Sequence, residues 1–324
     1  MFWRTKDNAS AKPSLENKVL NSATYLDLQT MMGYRYDAKK LALAKQASVH
    51  SKQPSGHRTK LRGRGIDFDE VRRYEPGDDI RTMNWRVMAK TGNPFTKLFH
   101  DERERPVILW LDYNPSMFFA TKNHFKSVVA SKIAALMAWS AFHHGDRLGG
   151  LAFAQDQHWE IRPRRQQNTI LRFLSVMDEA QQKANWAGDN ANIDSSLARL
   201  RRITQSGSLI FLISDFRTTT NLSDTHLNRL ARHNDVVIFH IYDPIEKQLP
   251  PGHFRVTDGQ KQQLVDSHHQ PNRTRYEQEF TKHEAHLKAL CWKEGMRYIP
   301  VSTEYDVLTT LQRCEVCSPF INLK

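Results

Sequence analysis

The stretch Val107-Ile108-Leu109-Trp110-Leu111-Asp112-Tyr113-Asn114-Pro115-Ser116 decides how the chain folds. Five consecutive apolar residues without alternation mark a strand buried on both faces, as in the parallel sheets of α/β proteins. The Asp and the Asn-Pro that close the run mark a strand end and a turn. Two later runs share this design: Ser208 to Ile213 leads into Ser214-Asp215, and Asp235 to Ile241 ends near Asp243.

Helical patterns lie between and beyond these runs: Thr121 to His143, Thr169 to Ala180, Ile193 to Ile203, Arg273 to Glu294 and a last one from Tyr305. Further strands are expected at Arg147 to Ala154 and Met296 to Val301, a short strand pair near Trp159, and an irregular or strand segment from Phe254 to Val265. Strands and helices alternating at this length predict an α/β fold, a doubly wound and mostly parallel sheet over residues 106–318. Such sheets bind ligands outside the carboxyl ends of their strands. Asp112, Asp215 and Asp243 are therefore delivered to one edge.

Upstream, residues 1–22 read as a polar tail. The spacing of Leu26, Leu28, Met31, Met32, Leu41 and Leu43 predicts helical structure interrupted around Gly33. After a basic linker, Leu61 to Arg105 is dense in charges and glycines and predicts short strands and turns, Glu75-Pro76-Gly77-Asp78 being the plainest turn. Residues 23–105 are thus expected to form an N-terminal α+β subdomain, and residues 319–324 a short tail.

Composition bounds the function. At 39% hydrophobic and 25% charged residues, the 324-residue chain is globular in character. Its formal charge of +12 attracts polyanions, acidic proteins or anionic surfaces. Three cysteines offer no secreted disulfide framework, and Met1 to Lys18 lacks the apolar run of a signal peptide, so a cytoplasmic location is expected. The apolar stretch Ser127 to Phe142 is broken by Ser131 and Lys132 and predicts a buried helix, with no insertion into a membrane. Gly63-Arg64-Gly65 lacks the third glycine, the lysine and the strand-to-helix setting of a nucleotide loop, so no nucleotide is expected. Cys314 and Cys317 have zinc-ligand spacing without a second pair, so no zinc is expected either.

Hard oxygen donors at one strand edge suit a divalent cation such as Mg²⁺ or Mn²⁺. They equally suit helix caps and strand-to-helix turns. Leu109 to Met117, the helix Lys126 to Trp139 and the strand ending Leu212-Ile213-Ser214-Asp215 resemble a von Willebrand factor A domain with its metal-ion-dependent adhesion site. More closely, Gly63 to Arg72, Tyr74 to Arg81, Trp85 to Gly92, Glu102 to Pro106, Gly145-Asp146-Arg147 and Asp243-Pro244-Ile245-Glu246 resemble the signature of the domain-of-unknown-function family number 58.

The resemblance implies a metal set of Asp112, Asn114, Ser116 and Asp215, with one coordination position left for a carboxylate of a partner. It is a degenerate set. Asn114 stands where the adhesion pattern has its first serine, and Asn190-Ala191-Asn192-Ile193 offers no threonine from the second loop. Met83-Asn84-Trp85 replaces the family's Ile-Asp-Trp.

The resemblance further implies a non-catalytic adaptor or assembly factor that partners a MoxR-type AAA+ ATPase in protein maturation or stress response. Arg72, Arg73, Asp78, Asp79, Arg81 and Trp85 belong to the signature block, which reads either as a partner surface or as an internal ion-pair network. Two other function classes stand beside the adaptor. One is a metal-dependent hydrolase using Asp112, Asp215 and Asp243. The other is a nucleic-acid-binding protein using basic loops such as Arg162-Pro163-Arg164-Arg165, although no aromatic-rich strand of the RNA-binding type accompanies them.

Overall fold

A computed structural model describes residues 23–41, 66–75, 80, 83–101, 105–155, 157–184, 193–257, 262–268 and 270–314. The chain divides into two compact units, one of residues 1–49 with 105–324 and one of residues 50–104.

In the larger unit, helix α1 (Leu28–Gly33) is capped by Asp27 and followed by a 3-10 turn at Asp37–Lys40. The smaller unit pairs β1 (Ile66–Arg73) antiparallel with β2 (Phe95–Asp101) and carries helix α2 (Trp85–Thr91) between them. Short strands and turns were expected throughout this block, and α2 corrects that expectation. Its signals are local: the Asn84 side chain accepts from the Val87 N–H, and Gly92 closes the helix at φ 71, a left-handed conformation that glycine adopts without strain.

The rest of the larger unit runs through β3 (Pro106–Asp112), α3 (Lys126–His143), β4 (Arg147–Ala154), β5 (Gln157–Arg164), α4 (Gln167–Lys183), α5 (Ile193–Ile203), β6 (Leu209–Ser214) and α6 (Asn221–Ala231). It continues through β7 (Asp235–Tyr242), the single turn α7 (Pro244–Lys247), the hairpin β8 (His253–Thr257) and β9 (Gln262–Asp266), α8 (Gln270–Glu294), β10 (Arg297–Ser302) and α9 (Val307–Arg313). Six strands form one sheet in the order β10-β7-β6-β3-β4-β5. All neighbours are parallel except β4 and the edge strand β5. The expected doubly wound, mostly parallel sheet is the fold of this unit.

The alternation along β3 shows why the sheet has two covered faces. Val107, Leu109 and Leu111 point into a core with α3 and α4, whereas Ile108 and Trp110 point into one with α5, α6 and α8. Each such residue contributes roughly 1.5–3 kcal/mol by leaving water. Helix α3 buries 15 of its 18 residues, so it lacks a wet face and acts as core. At Gly150 a Cβ would lie 2.3 Å from the Phe173 ring, so this position on β4 admits α4 only without a side chain.

The boundary expected at residue 23 is corrected by packing. Leu26, Met31, Ala38 and Leu41 join the α3 and α4 core; Trp139 Nε1 donates to the Met31 carbonyl at 3.1 Å, and Ser140 Oγ to the Leu41 carbonyl at 3.0 Å. The N-terminal segment therefore belongs to the sheet unit and not to the signature block. Among the described residues no helix is long and apolar enough to cross a membrane.

Candidate functional site at the carboxyl edge of the sheet

Chain order places β4 and β5 on one side of β3, then returns to set β6, β7 and β10 on the other. The reversal falls between β3 and β6, and in this architecture that crevice is where ligands bind. The register pairs Trp110 with Leu212 and Leu111 with Ile213, which sets the ends of β3 and β6 side by side.

Asp112 is buried there. Its Oδ1 accepts from the Asn114 N–H at 2.8 Å, and its Oδ2 accepts from Ser214 Oγ at 2.6 Å. Burial first, and the charge of Asp215 second, push the Asp112 carboxyl up to about 7. Asp215, the next residue past β6, accepts from Lys126 Nζ at 2.8 Å. Burial, the largest influence, opposes its charge, but the Lys126 and Arg217 contributions together outweigh it and hold Asp215 well below the usual carboxylate range.

Lys126 opens α3 and is itself fully buried. Its ammonium also donates to Glu246 Oε1 at 2.7 Å and lies 6.0 Å from the Phe119 ring. Arg217 reaches the same Glu246 oxygen at 3.3 Å. Burial would strip the proton from Lys126, yet Asp215 and Glu246 keep its affinity above that of an ordinary lysine.

Asp243, past β7, serves a different purpose. Its carboxylate accepts from the Thr121 N–H at 2.8 Å, Thr121 Oγ1 at 2.5 Å, Thr303 Oγ1 at 2.8 Å and the Ile245 N–H at 3.1 Å. It stitches the loops after β3, β7 and β10 together. Its own N–H donates to Glu246 Oε2 at 2.9 Å, completing a capping box. These ties also explain why α3 begins at Lys126 and not at the expected Thr121.

The structure thus brings Asp112 and Asp215 to one edge, with Asn114 capping a 3-10 turn at Pro115–Met117 and the Ser116 hydroxyl buried without a hydrogen-bond partner. The two aspartates are already engaged within the protein. The Asp112 oxygens are engaged by Ser214 and the Asn114 N–H, Asp215 faces an ammonium, and among the described residues no three His, Cys, Asp or Glu side chains group to hold an ion. The Asp215 carboxylate that a divalent cation would draw on is already paired with the buried Lys126 ammonium. Asn190 to Asn192 lie outside the described residues.

Sequence reading missed Lys126, Arg217 and Glu246 as members of this site. A lysine opening an apolar helix, and an Asp-Pro-x-Glu capping pattern, were the available signals.

Of the signature block, Arg73 and Trp85 are exposed. The Arg72 side chain and residues Asp78, Asp79 and Arg81 lie outside what is described. Cys314 is an exposed free thiol, and Cys317 lies outside the described residues.

The chain is 30% identical over 191 residues to the uncharacterized protein Rv1480 of Mycobacterium tuberculosis, an alignment that covers 58% of each chain. It therefore spans a little over half the length of that relative. The uncharacterized protein Mb1516 of Mycobacterium bovis matches equally. Among solved structures, the conserved hypothetical protein BatB from Bacteroides thetaiotaomicron aligns at 12% identity and TM-score 0.41, over 65% of this chain and 96% of its own. An aerotolerance-related membrane protein from Bacteroides fragilis aligns at 13% and 0.40, over 65% and 96%. A von Willebrand factor type A structure from Catenulispora acidiphila aligns at 16% and 0.32, over 46% and 35%. The family described as protein of unknown function DUF58 matches residues 70–286, well over half of the 324, and the chain belongs to that family.

Proposed function

We propose that the protein is a non-catalytic binding adaptor that docks a partner protein on the carboxyl edge of its six-stranded sheet. The observation that supports this reading is the layering of that edge. Beneath, Asp215 and Glu246 are neutralised by Lys126 and Arg217, and Asp243 is filled with donors, so these carboxylates are already engaged and poorly suited to act as base or nucleophile. Around it, Phe119 in the loop after β3, Leu222 in the first turn of α6 and Tyr305 in the loop after β10 are 40%, 54% and 66% exposed. Exposed apolar side chains beside internally satisfied polar groups are the composition of a protein interface.

The family resemblance supplies the kind of partner, a MoxR-type AAA+ ATPase acting in protein maturation or stress response. A chain without a nucleotide loop draws its energy from such a partner. A cytoplasmic location belongs to the same proposal and is checked by cell fractionation.

The test is capture from native lysate, with and without ATP, by the wild-type chain and by a Phe119→Ser, Leu222→Ser, Tyr305→Ser variant. An AAA+ ATPase identified by mass spectrometry is expected with the wild type. The variant is expected to recover on the order of tenfold less, since losing a few rim contacts removes more than 1.4 kcal/mol. Equal recovery by both chains would remove the edge from the proposal.

A further inference from the structure

We propose that Lys126 is the resident cation of the carboxyl edge, filling the role of a bound divalent ion so that the site is complete without metal. This goes beyond the docking reading and does not depend on it. Four observations carry it.

First, the ammonium bridges two carboxylates that belong to different strand ends, Asp215 after β6 at 2.8 Å and Glu246 after β7 at 2.7 Å. Joining separate loops through oxygen donors is what an ion does in such an edge. Second, Lys126 is 0% exposed, and a buried ammonium persists only where opposite charge surrounds it. Third, the ion-paired groups are matched: Lys126 and Arg217 face Asp215 and Glu246, two against two, so both of these carboxylates already have a cation of the protein's own. Fourth, Lys126 is the first residue of an 18-residue helix, and Phe125 before it supplies no side-chain cap. A cation at a helix N-terminus stands against the helix dipole, so local helix preference does not explain its presence. The two carboxylates do.

The consequence is a site whose central charge is covalently fixed. Its geometry then holds in the presence or absence of metal, and Ser116 and Asp112 are left as neighbours of a lysine and not as ligands.

The full chain is followed by thermal unfolding. Against EDTA at matched ionic strength, millimolar Mg²⁺ or Mn²⁺ is expected to leave the wild-type melting temperature unchanged. Lys126→Met, which keeps most of the length of the side chain and removes its charge, is expected to melt about 10 °C lower, because buried Asp215 loses its ion-pair partner and Glu246 is left with Arg217 alone. Adding Asp215→Asn to Lys126→Met is expected to restore at least half of that loss.

A wild-type stabilisation by either ion that Asp112→Ala abolishes overturns the proposal, and so does a Lys126→Met chain that melts like the wild type. A double variant no more stable than the single one overturns it too. Should Lys126→Met fail to fold, the metal comparison on the wild type and the folding of the double variant still decide the question. Failure here leaves the rim capture experiment untouched, and failure there leaves this one untouched.

Discussion

Asp215, where the β3–β6 half of the carboxyl edge ends, and Asp243, in the β7–β10 half, are the same residue type and are satisfied in opposite ways. In the first, Asp215 meets a buried ammonium, and Asp112 beside it keeps only two neutral donors. In the second, Asp243 is satisfied by four neutral donors drawn from the loops after three strands. A strand-end carboxylate is therefore defined by what other loops bring to it. Donor number separates a brace from a residue with spare capacity.

The largest effect that sharpens this contrast is expected at Asp243. Asp243→Ala leaves Thr121, Thr303 and the Ile245 N–H without their acceptor and is expected to lower unfolding free energy by about 4 kcal/mol in urea titrations. A loss under about 1 kcal/mol would mean that solvent replaces the carboxylate and that it braces nothing.

The next effect lies on β7 itself. His240 is buried with His283 at 5.5 Å and Tyr298 OH at 2.6 Å from its Nδ1. Burial first, then the His283 charge, hold His240 down at about 3. Asp215 favours its protonation, while Lys126 and Arg217 oppose it. The unfolded chain binds a proton near pH 6.5 that the folded chain refuses, so this residue's contribution is complete above pH 6.5. As pH falls from 6.5 to 4.5, stability should drop by about 2 kcal/mol on its account, the slope approaching about 1.4 kcal/mol per pH unit. Asp112, held upward, contributes with the opposite sign over part of that window. The difference between wild type and His240→Phe isolates the histidine, and parallel pH profiles would refute the assignment.

The smallest effect is expected at Asp112. Asn at this position keeps an oxygen for the Asn114 N–H and removes a like charge beside Asp215, so Asp112→Asn is expected to change stability by less than about 0.5 kcal/mol. A cost comparable to that of Asp243→Ala would erase the difference between the two halves.

The sheet was legible because its central strands are apolar on both faces, and Val107 to Leu111 has no alternation to confuse with an exposed strand. Helix α5 was legible to its ends because Ile193, Leu197 and Leu200 repeat on one face. The start of α3 was not, since Thr121 is held by Asp243 from 122 residues away. The strand-end aspartates announced themselves through the runs before them. Their roles did not, because Lys126 and Glu246, 120 residues apart, meet only after the fold is complete. A lysine inside an apolar pattern looks like an interruption until the carboxylates that surround it are known.

The antiparallel partner of β4 has a consequence for how the molecule behaves in a crowded solution. The sheet stops at β5, whose outer end reads Ile161-Arg162-Pro163-Arg164, with the register to β4 slipping between Leu148 and Gly150. Arg162 and Arg164 are exposed on this edge strand, and like charges there repel a second copy of the same edge. The basic run considered above for nucleic acid therefore has a sufficient physical occupation as a guard against self-association. Neutralising both arginines would remove that repulsion and leave this border open to strand addition.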